Sequence, residues 1–184
     1  METFQCSRAT IREALKLLCS DGLAVHKANK GITIRKLSLD EIISINETLQ
    51  ALESQAIYLL ANKKDKRELA DIENTLSEFE AAVNDSNVFL TGKLYVDLKE
   101  KIAEASGNKI ISNLIKKYYL IIVSSYGIIG SWSSEHKARS LVQVQLFKEL
   151  IEKIKQGDST GAALLHYKQF SDTLSQIKSD KFSY

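Results

Sequence analysis

The chain has 184 residues, 44% of them hydrophobic and 26% charged, with a formal net charge of +2. That is enough for one ordinary domain with a small appendage, and the composition excludes disorder and a fibrous chain. With only Cys6 and Cys19 and no metal-type spacing, a disulfide framework is excluded, and a reduced, cytoplasmic setting is expected.

In chain order, Ser7 is placed to cap a helix whose apolar steps are Ile11, Leu15 and Leu18, expected to form one buried face. Arg8, Thr10, Arg12 and Lys16 lie off that face, and Gly22 closes the helix. Residues 23–27 and 31–35 have strand-like composition, and Ala28-Asn29-Lys30-Gly31 joins them as a turn, giving a hairpin with a basic tip. A short helix with a dry back and an Arg/Thr front suits a DNA major groove. Taken alone, the helix reads equally as an amphipathic element with solvated basic residues.

Ser38-Leu39-Asp40-Glu41 is a capping box opening a helix through Ile42, Ile45, Leu49, Leu52, Ala56 and Leu59. Asp65–Glu68 reads as a second capping box, followed by Leu69, Ile72, Leu76, Phe79 and Val83. Leu90, Leu94, Leu98, Ile102 and Ala105 mark the next helix, which stops at Ser106-Gly107. Asn108 caps another through Ile111, Leu114, Ile115, Tyr118 and Ile122; residues 127–134 read as a break. Leu141 to Ile154 form a further helix, ended by Gly157, and Asp158 caps the last, which carries Ala163, His166 and Phe170. The expected fold is mainly α: a partial winged helix-turn-helix over 1–37, then an antiparallel six- or seven-helix bundle over 38–184. Proline is absent, which favours long helices. The most apolar run, residues 118–123, is far too short to span a bilayer, so no membrane association is expected.

The charge is unevenly spread. Residues 1–37 hold seven Lys/Arg against three Asp/Glu, whereas 38–184 hold eighteen against twenty. The positive excess therefore sits with the helix and hairpin, where phosphate contacts would need it.

The pattern SRATIREALKLLCSDGL followed by VHKANKGITI resembles the winged helix-turn-helix of GntR-type bacterial transcription regulators. The resemblance implies that Ser7, Arg8, Thr10, Arg12, Lys30 and Gly31 face a double-stranded DNA operator, with the wing Gly reaching the minor groove. Ser-Leu-Asp-Glu-Ile from Ser38, Leu52-Glu53, Ile102 to Asn108 and Ile154 to Asp158 resemble the FadR branch with an FCD effector domain. Only six residues precede Ser7, where a whole winged helix has two further helices. Two explanations stand: a longer natural chain with Met1 internal or mis-assigned, which we favour, or a truncated product. The second would leave a ligand-binding or dimerisation module without competent DNA binding.

Most FCD domains bind a divalent metal through one Asp and three His, beside an Arg that can hold a carboxylate. Registered on Gly107-Asn108 and Gly157-Asp158, the Asp position falls on Tyr95 and the His positions on Lys99, Phe147 and Gln169. The Arg position falls on Leu49. None of these suits a metal ion, so no metal and no cofactor are expected. The resemblance thus implies an effector pocket of Leu49, Tyr95, Leu98, Lys99, Phe147 and Gln169, apolar with one hydroxyl and suited to a small hydrophobic effector. The alternative is a closed core in which these side chains pack. Lys99 could hold an anionic headgroup or snorkel to solvent, and His166 reads as a hydrogen-bonded core or interface histidine. Trp132 and Tyr126 could edge a pocket. A homodimer is expected. No enzyme is indicated, since the chain shows no Gly-rich phosphate loop and no nucleophile–base constellation.

Overall fold

The structure is a computed structural model and describes residues 6–63, 65, 67–126 and 134–179. Seven helices and one hairpin are present among them: α1 (Arg8–Ser20), β1 (Ala24–Lys27), β2 (Gly31–Ile34), α2 (Leu39–Asn62), α3 (Leu69–Asn84), α4 (Val88–Ala105), α5 (Lys109–Tyr126), α6 (Ser134–Gln156) and α7 (Ser159–Ser179).

The hydroxyl of Ser7 accepts the Thr10 N–H at 3.1 Å and starts α1. At the other end Gly22, at φ +79°, lets the Leu23 N–H reach the Leu18 carbonyl at 2.9 Å and the Gly22 N–H the Cys19 carbonyl at 3.1 Å. That pair of bonds satisfies carbonyls the helix leaves open and requires a left-handed residue at Gly22. β1 and β2 pair antiparallel, Ala24 opposite Ile34 and Lys27 opposite Gly31, around a turn with Asn29 at φ +60°.

α1 departs from expectation in one respect. None of its residues is buried, and Ile11 and Leu18 are 38% and 41% exposed. Among the described residues its main packing partner is β1, a four-residue strand too short to cover the Ile11–Leu15–Leu18 face.

Ser38 forms the expected capping box with Glu41, whose carboxylate accepts the Ser38 N–H at 2.9 Å. The second capping box does not form. Asp65 instead accepts the Arg67 N–H at 3.1 Å, and the Glu68 carboxylate turns back to the Lys63 ammonium at 3.1 Å. With both side chains engaged elsewhere, α3 begins at Leu69 with no side-chain cap. Asn87 and Asn108 cap α4 and α5, and Asp158 accepts the Gly161 N–H at 2.9 Å at the start of α7.

α2 is the central rod, packed against α4, α5, α6 and most extensively α7, while α3 packs on α4 and α6. The larger core cluster lies among α2, α3, α4 and α6, with Phe79 and Phe147 edge to face at 6.2 Å. A smaller one joins Leu49, Ala56, Ala103, Ile111, Ile115 and Tyr119 of α2, α4 and α5. Tyr95 touches both clusters. Leu90, Leu114 and Leu141, read from the sequence as core-facing, lie near the surface. No helix among the described residues is long and apolar enough to cross a membrane.

Candidate functional site: a buried ionic cluster beneath a bundle cavity

Between the two core clusters sits a group of side chains that helix periodicity would assign to apolar positions. Glu53 of α2 is 3% exposed, Lys99 of α4 4% and His166 of α7 1%. A charge with such burial must be paired, because desolvation of an isolated one is prohibitive. Here Glu53 Oε2 accepts the Lys99 ammonium at 2.7 Å and lies 2.8 Å from His166 Nε2. The Tyr119 hydroxyl of α5 donates to Glu53 Oε1 at 2.5 Å. Four helices thus supply one side chain each.

The protonation states follow from these contacts. Burial pushes the Glu53 carboxyl upward, but the Lys99 ammonium and the His166 hydrogen bond overcome it and hold the pKa at about 2. Burial likewise works against the Lys99 charge, and the Glu53 carboxylate outweighs it, raising the lysine above its usual value. For His166 burial wins: with Lys99 beside it, the imidazole pKa is lowered and the ring is neutral at neutral pH. Burial and the Glu53 charge push Tyr119 well up, so its hydroxyl keeps its proton.

A neutral imidazole has one N–H for two nitrogens. His166 Nδ1 lies 3.1 Å from the Ser54 hydroxyl, and Nε2 lies 3.0 Å from Lys99 Nζ as well as 2.8 Å from Glu53. With the proton on Nε2, His166 donates to Glu53 and the ammonium faces another donor. With the proton on Nδ1, Nε2 accepts from Lys99 and its lone pair faces the carboxylate. Each tautomer leaves one side of the Glu53–Lys99–His166 triangle unsatisfied. The ammonium also lies 5.6, 5.3 and 5.9 Å from the ring centres of Tyr95, Phe147 and Phe170, within cation–π range.

Above this cluster lies a cavity of about 200 Å³. Lys99, His166, Tyr95 and Tyr119 form its polar floor, Asn46, Gln143 and Gln169 add carboxamides, and Ile122, Leu146 and Phe170 add apolar wall.

Of the six expected pocket residues, Tyr95, Lys99 and Gln169 line this cavity. Phe147 does not line it; its ring lies against Tyr95 at 6.0 Å in the larger core cluster. Leu49 and Leu98 are fully buried, in the smaller and larger clusters respectively, and line no part of the cavity. The expected apolar pocket with one hydroxyl is therefore corrected to one with a charged and amide-bearing floor. Lys99 does not snorkel: it is buried, lines the cavity and pairs with Glu53 at 2.7 Å. Glu53, Tyr119, Asn46 and Gln143 were missed. The signal for Glu53 was in the sequence, since it stands at helical spacing between Leu49 and Ala56 on the buried face of α2. Among the described residues no group of three His, Cys, Asp or Glu is placed to hold a metal ion. Trp132 and the side chain of Tyr126 lie outside the described residues.

In the N-terminal helix and hairpin, Ser7, Arg8, Thr10 and Arg12 lie exposed at the start of α1, and Lys30 and Gly31 are exposed at the hairpin tip. Ser7 and Thr10 hydroxyls lie 2.9 Å apart, and a Cβ at Gly31 would meet nothing within 4 Å. The hairpin is tied to the bundle through Arg35. Its N–H donates to the Leu23 carbonyl at 3.0 Å, and its guanidinium pairs with Glu41 in the first turn of α2. Gly22 sits between them: a Cβ there would stand 3.4 Å from Arg35 Nη1 and 3.8 Å from Ile121 Cδ1 of α5.

The FCD domain family matches residues 44–168, from early α2 into α7. The chain belongs to the FCD-domain family. The FCD-domain protein is also 27% identical over 161 residues to the uncharacterized HTH-type transcriptional regulator YdhC of Bacillus subtilis (strain 168), covering 84% of this chain and 70% of the relative. It overlays E. coli McbR/YncC with a TM-score of 0.79 at 15% identity, covering 95% of this chain and 86% of the other. A GntR regulator structure from Rhodococcus sp. RHA1 overlays with a TM-score of 0.73 at 17% identity, over 95% and 82%. The fold of this FCD-domain chain is that of GntR-type transcriptional regulators.

Proposed function

We propose that the chain is a cytoplasmic, one-component transcription regulator of the FadR branch. Residues 1–37 form its DNA-binding part and 38–184 its effector-binding and dimerisation part. A homodimer would set two α1 helices one turn of duplex apart on a palindrome. Arg8 and Arg12 would read guanines or hold phosphates, Ser7 and Thr10 would bond the backbone or base edges, and Lys30 with Gly31 would enter the minor groove. A small effector in the bundle cavity would favour one setting of those helices.

The observation that carries this reading is the exposed Ser7–Arg8–Thr10–Arg12 surface beside a basic hairpin tip, on an FCD fold. Selection of bound sequences from randomised duplexes, followed by titration of the selected site against salt, tests it. The expected result is a two-fold symmetric site whose affinity drops steeply between about 50 and 200 mM salt. Arg12→Ala should weaken binding and relax discrimination at one base by about 1–3 kcal/mol. The uncovered apolar face of α1 favours a second reading, a ligand-binding or dimerisation module without competent DNA binding. Absence of salt-dependent binding to any duplex would decide for it.

A further inference from the structure

We infer that the bundle cavity takes a small uncharged molecule that presents a carbonyl-type acceptor to Lys99, and not an anion. This rests on the cavity being the effector site. Its volume of about 200 Å³ is below the roughly 300–1,000 Å³ of sites for drug-sized ligands, so the occupant is fragment-sized.

Charge decides the class. Among the described lining residues Lys99 is the one ammonium, and its charge is cancelled inside the protein by Glu53 at 2.7 Å. An anion drawn to Lys99 would approach that carboxylate too, and would give up its hydration without a net positive charge to receive it. His166 adds no charge while its ring is neutral. No carboxylate or guanidinium stands on the described lining to receive an ionic partner of either sign. What remains is hydrogen-bonding capacity without charge: three carboxamides and two phenols above an apolar wall.

The unsatisfied triangle gives an acceptor a specific place. A ligand carbonyl that takes an N–H from Lys99 replaces the poor ammonium–imidazole contact at 3.0 Å. The His166 proton can then settle on Nε2, donating to Glu53. Ligand arrival thereby selects one tautomer, with Nδ1 left to accept from Ser54 at 3.1 Å.

The test is a panel of matched amide and carboxylate pairs, headed by benzamide and benzoate, with benzylammonium as cationic control. Isotope-edited NMR of the His166 ring and the Ile122 methyls reports occupancy, and the His166 ring nitrogens report the tautomer. The expected result is amide binding roughly tenfold tighter than that of the paired carboxylates, with the His166 proton moving to Nε2 on saturation. Tighter binding by carboxylates or by the ammonium would overturn the ligand class and leave the cavity standing as an effector site. If no member of the panel perturbs either residue, the effector-site reading falls, and this inference with it. Glu53→Gln supplies an independent arm: it removes the cancelling charge, so the preference should reverse toward the carboxylates. A folded Glu53→Gln protein, judged by its melting curve, that still prefers amides would overturn the charge argument. Should this variant not fold, the wild-type panel decides.

Discussion

Glu53 accepts from Lys99 and Tyr119 and lies 2.8 Å from His166 Nε2, and each partner comes from a different helix. Removing one partner of such a pair leaves an uncompensated charge in a dry interior, which costs about 3–5 kcal/mol, whereas replacing both by apolar groups is often neutral. Lys99→Met is therefore expected to lower the free energy of unfolding in urea by about that amount, and Glu53→Leu/Lys99→Met to recover most of it. A loss below about 1 kcal/mol for the single variant would mean that the pair is not the buried unit described here. His166 adds a pH dependence whose sign is set by its lowered pKa. Below about pH 6.5 the unfolded imidazole takes up a proton that the folded one refuses. Stability is thus fully present above that pH and is lost as pH falls toward the folded pKa. Glu53, held at about 2 against an ordinary 4.5, adds a second loss only between those two values. Melting temperatures measured from pH 8 to 5 should fall for the wild type and stay flatter for His166→Gln. Equal slopes in the two proteins would remove His166 as the cause.

Among the elements, those set by local chemistry were legible in the sequence. Ser7, Ser38, Asn108 and Asp158 each bond the first turn of the helix they precede, and Gly22 closes α1, because cap and stop residues act over three or four positions. The same locality explains the false capping box at Asp65–Glu68. Its residue types fit, but Glu68 finds Lys63, a competitor the pattern does not weigh. The burial of each face was less legible. Periodicity finds an apolar stripe on α1 but not whether a neighbour covers it, and none of its residues is buried. The cavity was half legible. Registration against two glycine junctions picked out Tyr95, Lys99 and Gln169, which line one cavity. It said nothing of Glu53, whose role depends on Lys99, forty-six positions later, crossing the bundle to meet it. A charge standing at a buried helical step is the pattern that identifies such a residue, and Glu53, Lys99 and His166 all show it.

For the whole molecule, the question is how a small cavity in the bundle reaches the basic surface of α1 and the hairpin. Two helices connect them: α2 arrives at Arg35 and α5 at Gly22, which the Arg35 guanidinium also approaches. α2 carries Glu53 and, at the cavity wall, Asn46; its first turn holds Glu41, the ion-pair partner of Arg35. α5 carries Tyr119 and Ile122 at the cavity, and between them Ile121, which lies beside Gly22. A shift of α2 is therefore delivered to Arg35 and a shift of α5 to Gly22, and the Arg35 backbone is bonded to Leu23, the residue after Gly22. The Arg35–Glu41 pair is about one-third exposed, so its loss should cost little global stability. Its effect should be local. In Arg35→Met the amides of β1 and β2 are expected to exchange with deuterium roughly three- to tenfold faster, while those of α3 and α6 and the melting temperature stay unchanged. For the proposed regulator, linkage extends the same argument to ligand and operator: each would change the affinity of the other by one shared factor, and Arg35→Met should bring that factor toward unity. Unchanged hairpin exchange in Arg35→Met would show that the helix–hairpin unit is held by other contacts, and coupling would then have to run through the buried Leu37 of the connecting segment.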